Sequence, residues 1–216
     1  MHTPRVALVL DNPMRDLAGL VLLAAHLAKR GLESYLVPMY LLHQEIPPLQ
    51  PDFILLNYLR RNNANFTSCL LSAGVPYGVL DTEGGVFTDL DVDYGQVLCQ
   101  DHRLLLGVAR YFCWGPKLAR EGVKRGWFST TTLRVTGSPR FDFYVRPWQQ
   151  VATQLNPWHD RPSQPLILIT TNFSMTNPRY QTPAQELATM VNHIGFDRQV
   201  IQTRAEREHH NLSCFC

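Results

Sequence analysis

What most restricts the fold of this chain is a rhythm: short, unbroken apolar runs recur between longer stretches of helical spacing. Val6-Ala7-Leu8-Val9-Leu10 opens the series. A strand covered on both faces needs a continuous apolar run rather than alternation, so such segments read as buried parallel strands. Asp11, Asn12 and Pro13 punctuate the first. Leu17, Leu20, Val21, Ala24, Leu27 and Ala28 then follow at helical spacing, and Lys29-Arg30-Gly31 supplies a basic last turn and a glycine stop. Glu33 to Pro38 reads as strand two, and Tyr40 to Glu45 as a short helix closed by Pro47-Pro48. Phe53 to Leu56 is strand three, Asn62 to Ala73 a helix before Gly74, and Val75 to Leu80 strand four. The interval from Asp81 to Gln100, with five acidic residues, reads as a long polar loop. Tyr111 to Trp114 and Leu133 to Thr136 complete the strands, with a helix from Pro116 to Gly126 between them. The alternation predicts an α/β domain built on a mostly parallel, Rossmann-like sheet with helices on both faces.

A chain of 216 residues has room for one such domain and a smaller unit, given about 150 residues per domain. Proline and polar residues crowd positions 147–165, and Leu166-Ile167-Leu168-Ile169-Thr170-Thr171 restarts the strand pattern. The expected division is a Rossmann-like N-terminal domain over 1–146, a linker over 147–165, and the start of an incomplete second α/β domain over 166–216. Twenty basic against eighteen acidic side chains leave +2, too near neutral to argue for nucleic acid as a partner. No apolar run reaches the ~20 residues of a membrane span. Met1 to Arg5 runs straight into a strand without the pattern of a secretory signal, so a cytoplasmic protein is expected. Five cysteines without a C-x-x-C pair fit reduced thiols better than disulfides or zinc. Cys214 and Cys216 beside His209 and His210 form only a weak metal motif on a tail expected to fray. No glycine pattern matches a dinucleotide or Walker loop, so neither cofactor nor metal is expected.

In open parallel sheets ligands bind beyond the carboxyl ends of the strands. The residues just after each strand are therefore the candidates: Asp11, Arg15 and Asp16; Asn57, Tyr58, Arg60 and Asn63; Asp81 to Gly85; and Ser138 with Arg140. In Asp81-Thr82-Glu83-Gly84-Gly85 two carboxylates flank a hydroxyl. Gly84 and Gly85 would let backbone pass close to a ligand, and a partly desolvated carboxylate there can act as a general base. The plainer alternative is a turn in which Asp81 caps amides and Glu83 faces water. Arg15-Asp16 is either a crevice guanidinium or a helix-start charge pair, and Asn63 either a ligand contact or a helix cap.

Taken in order, several of these segments resemble one family. Arg15-Asp16 leading into Leu22-Leu23-Ala24, then Asp81-Thr82-Glu83-Gly84-Gly85, Phe112-Cys113-Trp114-Gly115 and Val135-Thr136-Gly137-Ser138-Pro139-Arg140-Phe141-Asp142 are similar to bacterial surface carbohydrate (surface polysaccharide) biosynthesis proteins. A shorter form of the last segment is similar to CDP-glycerol glycerophosphotransferases and, more loosely, to UDP-N-acetylglucosamine 2-epimerases. The resemblance implies a GT-B architecture whose N-terminal half receives a glycan acceptor and whose C-terminal half holds a nucleotide-sugar donor. It implies Glu83, as base or charge stabiliser, then Asp81, as catalytic carboxylates, and Arg15, Asn63 and Arg140 as acceptor or phosphate contacts; Asp11, Gly84, Gly85 and Ser138 complete the substrate-binding candidates from their places after the strands. Asp16 stands where the family has glutamate. The implied function is a glycosyltransferase of surface polysaccharide assembly, incomplete as given. Implied partners are a chain supplying the missing half and the inner membrane face, by peripheral association. A noncatalytic glycan-binding module and an epimerase relative are the alternatives.

Overall fold

The structure is a computed structural model that describes residues 2–85, 90–154, 174–178, 180–193 and 195–215. The chain divides into two compact units, 1–159 and 160–216. The first carries a six-stranded sheet of β1 (Arg5–Leu10), β2 (Glu33–Pro38), β3 (Phe53–Leu56), β4 (Tyr77–Leu80), β5 (Val108–Cys113) and β6 (Leu133–Val135). The spatial order is β2-β1-β3-β4-β5-β6, and every neighbouring pair is parallel. This is a Rossmann-like α/β sheet. Leu8, Ile54, Leu56 and Val79 are completely or almost completely buried, which is why β1, β3 and β4 read as apolar runs rather than as alternating ones.

Helices α1 (Pro13–Ala28), α2 (Leu42–Leu49), α3 (Ala64–Ser72), α4 (the single turn Gly95–Val97), α5 (His102–Leu106) and α6 (Pro116–Lys124) connect the strands. α1 starts on Asn12, whose side chain accepts from the Met14 N–H at 3.0 Å, with proline in its first turn. Two local readings change. α2 runs through Pro47 and Pro48 to Leu49, held by buried Leu42 and Ile46 and closed by Gln50 in the left-handed region, φ +48°. The segment after Asp81 is not simply polar. It contains a π-turn, Leu90–Tyr94, and places Leu90, Tyr94, Leu98 and Cys99 in the core.

A 3-10 turn, Pro139–Tyr144, and helix α7 (Trp148–Gln154) return along α1. Trp148 meets His26 edge-on at 6.3 Å between ring centres, so residues 148–154, inside the expected linker, are helical and packed. The second unit holds α8 (Pro183–Asn192), begun by a reciprocal Thr182–Gln185 cap, and α9 (Arg198–Phe215). Met175 and Ile201 are buried there, and the Met175 N–H donates to Glu208 at 2.9 Å. The tail expected to fray is thus helical through residue 215. The anticipated strand Leu166 to Thr171 lies outside the described residues. Among the described residues no cluster of three metal-binding side chains occurs, and no helix is long and apolar enough to cross a membrane.

Candidate functional site: the carboxyl rim of the sheet

From β1 the chain steps outward to β2, then crosses back to β3 on the other side of β1. This reversal opens a crevice between the carboxyl ends of β1 and β3, the place where such sheets bind ligands. Side chains from four strand ends meet there in one ionic network. Arg15, in the first turn of α1, holds Asp16 through Nε at 2.8 Å and Nη2 at 2.9 Å, and Asp11 through Nη2 at 2.8 Å. Its Nη1 reaches Glu83 Oε1 at 3.4 Å. Arg60, beyond β3, donates to Glu83 Oε2 at 2.8 Å and to Asp81 Oδ1 at 3.1 Å. Hydrogen bonding to Asp16, with the charges of Asp16 and Asp11, raises the Arg15 pKa. Burial pulls Arg60 down, but the charges of Asp81 and Glu83 outweigh it and leave it raised. Both guanidinia are firmly charged.

Asp81 is the anchor of this network. It is 2% exposed. Oδ1 accepts from Arg60 and from the Glu83 N–H at 2.9 Å, while Oδ2 lies 3.3 Å from the Tyr94 hydroxyl and 3.5 Å from that of Tyr111, so that one phenol donates to the carboxylate and the other to its neighbouring phenol. The Tyr94 and Tyr111 hydroxyls also bond each other. Burial pushes the Asp81 carboxyl above its usual range, with Arg60 pulling it back. The Asp81 carbonyl accepts from the Trp114 indole N–H at 2.6 Å. Trp114 in turn carries the Arg140 guanidinium over its ring at 4.5 Å, with Phe141 against the same guanidinium at 4.9 Å. Arg140 approaches Asp16 only to 3.7 Å. Burial, then the charge of Arg15, lowers its pKa.

Asp11, Arg15, Asp81, Glu83 and Arg140 therefore share one rim. Three other candidates take different roles. Asn63 is buried and braces its own loop: Nδ2 donates to the Tyr58 carbonyl and Oδ1 accepts the Arg60 N–H, both at 2.8 Å. Neither end of its amide faces the crevice. Gly85 makes room for Trp114, since a Cβ there would sit 2.2 Å from the indole ring, whereas one on Gly84 would stand 3.3 Å from it. Ser138 lines the crevice wall. Arg60, a candidate from its place beyond β3 though not among the residues the resemblance implied, joins the site, and Trp114, Tyr94 and Tyr111 join it from outside the strand-end candidates. Arg60 had a signal, its place just beyond β3. The tyrosines had none, because one sits in an apparent loop and the other inside a strand.

No family model matches the chain, and no curated protein matches it in sequence. Among solved structures it is similar to the S. aureus MnaA–UDP co-structure, at 15% identity and a TM-score of 0.49, over 66% of this chain and 47% of that one. It is also similar to a UDP-GlcNAc 2-epimerase from Neisseria meningitidis bound to UDP-GlcNAc, at 12% identity and a TM-score of 0.45, over 71% and 54%. A further UDP-N-acetylglucosamine 2-epimerase matches at 12% and 0.48, over 65% and 50%. The chain spans about half the length of these neighbours. Likeness of that depth decides neither activity nor ligand, and the fold stands on the strand order itself.

Proposed function

We propose that this chain is the acceptor-side part of a glycosyltransferase-like protein of bacterial surface polysaccharide assembly, working with a second half that holds a nucleotide-sugar donor. The observation that carries the reading is the convergence of Asp11, Arg15, Arg60, Asp81, Glu83 and Arg140 on one rim at the strand-order reversal. The resemblance of the segments around Glu83 and Arg140 to the surface carbohydrate family supports it. The narrower kinship with CDP-glycerol glycerophosphotransferases rests on the Gly137 to Asp142 segment alone. The sites proposed for acceptor contact are Arg15, Arg140, Asp11 and Ser138, while Asp81 is a positioning residue.

Glu83 is the proposed base or charge stabiliser. Its two oxygens are held unequally, by Arg60 at 2.8 Å and by Arg15 at 3.4 Å. An acceptor hydroxyl displaces the longer contact, gives its proton to Oε1, and attacks the activated sugar carbon as the nucleotide leaves. Arg60 keeps Oε2, so the carboxylate pivots without leaving its place. The freed Arg15 stays beside the forming charge, where a preorganised cation is most effective. The same double clamp favours a second reading, a glycan-binding module in which Glu83 only orders the two arginines.

Transfer of labelled sugar from a UDP-sugar to a glycan acceptor, with a donor-binding half co-expressed, separates the two. The first reading expects Glu83→Gln to lower the rate by about 10² to 10⁴, the usual contribution of a positioned base. Unchanged transfer removes Glu83 from the chemistry. Acceptor binding without transfer by either protein favours the module.

A further inference from the structure

Away from the carboxyl rim, α2 and α3 together line a cavity of about 420 Å³ that opens to solvent. Its floor is buried core: Leu42 and Ile46 from α2, Phe66 and Leu70 from α3. Gln50 and Pro51, just before β3, and Val75, just before β4, line one end, so the cavity reaches toward the amino ends of these strands. Among the described residues that line it, none is Asp, Glu, Lys or Arg. Its polar groups are the His43 imidazole, set edge-on to Phe66 at 5.2 Å between ring centres, the Gln50 amide and the Cys69 thiol, all on exposed residues. A volume of this size falls within the ~300–1,000 Å³ of small-molecule sites, and covering apolar walls that face water is favourable.

We infer that this cavity binds an uncharged aliphatic chain of about eight carbons ending in a hydroxyl, at a site independent of the sugar-transfer reading. Shape selects a chain. α2 lines the cavity from Leu42 to Gln50 and α3 from Phe66 to Ala73, about two turns each, which makes it roughly 10–12 Å long at ~1.5 Å per residue. A zigzag of carbon–carbon bonds of ~1.5 Å advances about 1.3 Å per carbon, so eight or nine carbons match that length. Charge selects an uncharged ligand, because an ionised end would lose its water without gaining a partner of opposite sign. The hydroxyl follows from α2 itself. Pro47 and Pro48 have no N–H, so the carbonyls of His43 and Gln44 lack the donor that a regular helix would give them. A hydroxyl at the His43 end donates to that carbonyl. The rigid rings of Pro47 and Pro51 fix their own backbone, so this wall is formed before the ligand arrives.

The test is alkylation of Cys69 in the full chain by N-ethylmaleimide, read by peptide mass spectrometry against Cys214, which is exposed on α9 and is not among the cavity residues. 1-Octanol is expected to slow Cys69 saturably, with half-protection below about 1 mM, and to leave Cys214 unchanged. 1-Hexanol and 1-butanol weaken by about fourfold for each methylene removed, the worth of burying one. 1-Decanol, longer than the cavity, gains less than that. Octanoate, with the same chain and an ionised end, is at least about tenfold weaker. Ala73→Phe fills one end from an exposed position and is expected to abolish octanol binding, followed by saturation-transfer nuclear magnetic resonance, which does not use the thiol; Ala73→Ser retains it. No saturable protection up to about 3 mM octanol, protection that ignores chain length, or binding unchanged in a folded Ala73→Phe overturns the inference. Alkylation that slows with protein concentration and ignores the alcohols overturns it too, and gives this face to a second copy of the chain.

Discussion

At Gly85 a missing side chain decides where an aromatic ring can lie. Any Cβ there would be 2.2 Å from the Trp114 ring and 2.9 Å from a second ring atom. Trp114 cannot retreat cheaply, because its N–H holds the Asp81 carbonyl and its face carries Arg140. Gly85→Ala is therefore expected to destabilise the protein by about 1–3 kcal/mol, the usual range for overpacking. Urea unfolding followed by Trp fluorescence measures it, and a change under about 0.5 kcal/mol, the range of an ordinary surface substitution, means that the ring moves freely. This residue also shows what a sequence makes legible. The placement of Asp81, Glu83 and Arg140 followed from their position after apolar runs, because strand ends and crevice residues are linked by topology. The purpose of the glycines did not, since their partner Trp114 is distant in the chain. Asn63 sat in the right loop, but its amide was needed to fold that loop.

Between elements, α1 comes against backbone where it meets the 3-10 turn Pro139–Tyr144. A Cβ on Gly19 would stand 2.7 Å from the Arg140 backbone nitrogen. Two effects oppose each other in Gly19→Ala: alanine favours the helix by about 1 kcal/mol, whereas a clash with backbone forces the turn away. Backbone cannot rotate aside as a side-chain tip can, so the clash wins. A net loss of about 1–2 kcal/mol is expected, together with movement of Arg140 off Trp114, visible as a shift in the indole N–H resonance. A more stable protein with an unshifted resonance contradicts the argument. The element pattern itself was largely readable, because buried parallel strands advertise themselves as continuous apolar runs. It failed where tertiary burial overrode local signals. Pro47 and Pro48 read as a stop, yet α2 continues because Leu42 and Ile46 are buried beneath it. The acidic stretch after Asp81 read as loop, although Leu90, Tyr94 and Leu98 pack into the core.

Over the whole molecule, the sheet gathers several protonated acids into its interior. Burial pushes the Cys113 thiol from 9.0 up to about 12 and the Tyr77 phenol from 10.0 up to about 12. Tyr94 and Tyr111 lie well above 10.0, through burial and then the neighbouring charge of Asp81 for the former and the proximity of Tyr94 for the latter. Each folded-state pKa is raised, so above the unfolded value the native state keeps a proton that the unfolded chain has lost. Stability must then fall as pH rises. The thiol contributes from about pH 9 upward and the phenols from about pH 10; below these values they add no slope. A fully withheld group contributes up to about 1.4 kcal/mol per pH unit. Unfolding free energies from urea titrations are expected to be level in this respect to pH 8 and to decline with increasing steepness between pH 9 and pH 11. Tyr111→Phe loses the hydroxyl that pairs with Tyr94 beneath Asp81 and so starts about 1 kcal/mol lower at pH 8, but its alkaline decline is shallower than that of the parent by one group. Parallel curves for the two proteins would mean that Tyr111 ionises as readily folded as unfolded, and that the hydroxyl pair beneath Asp81 is open to water.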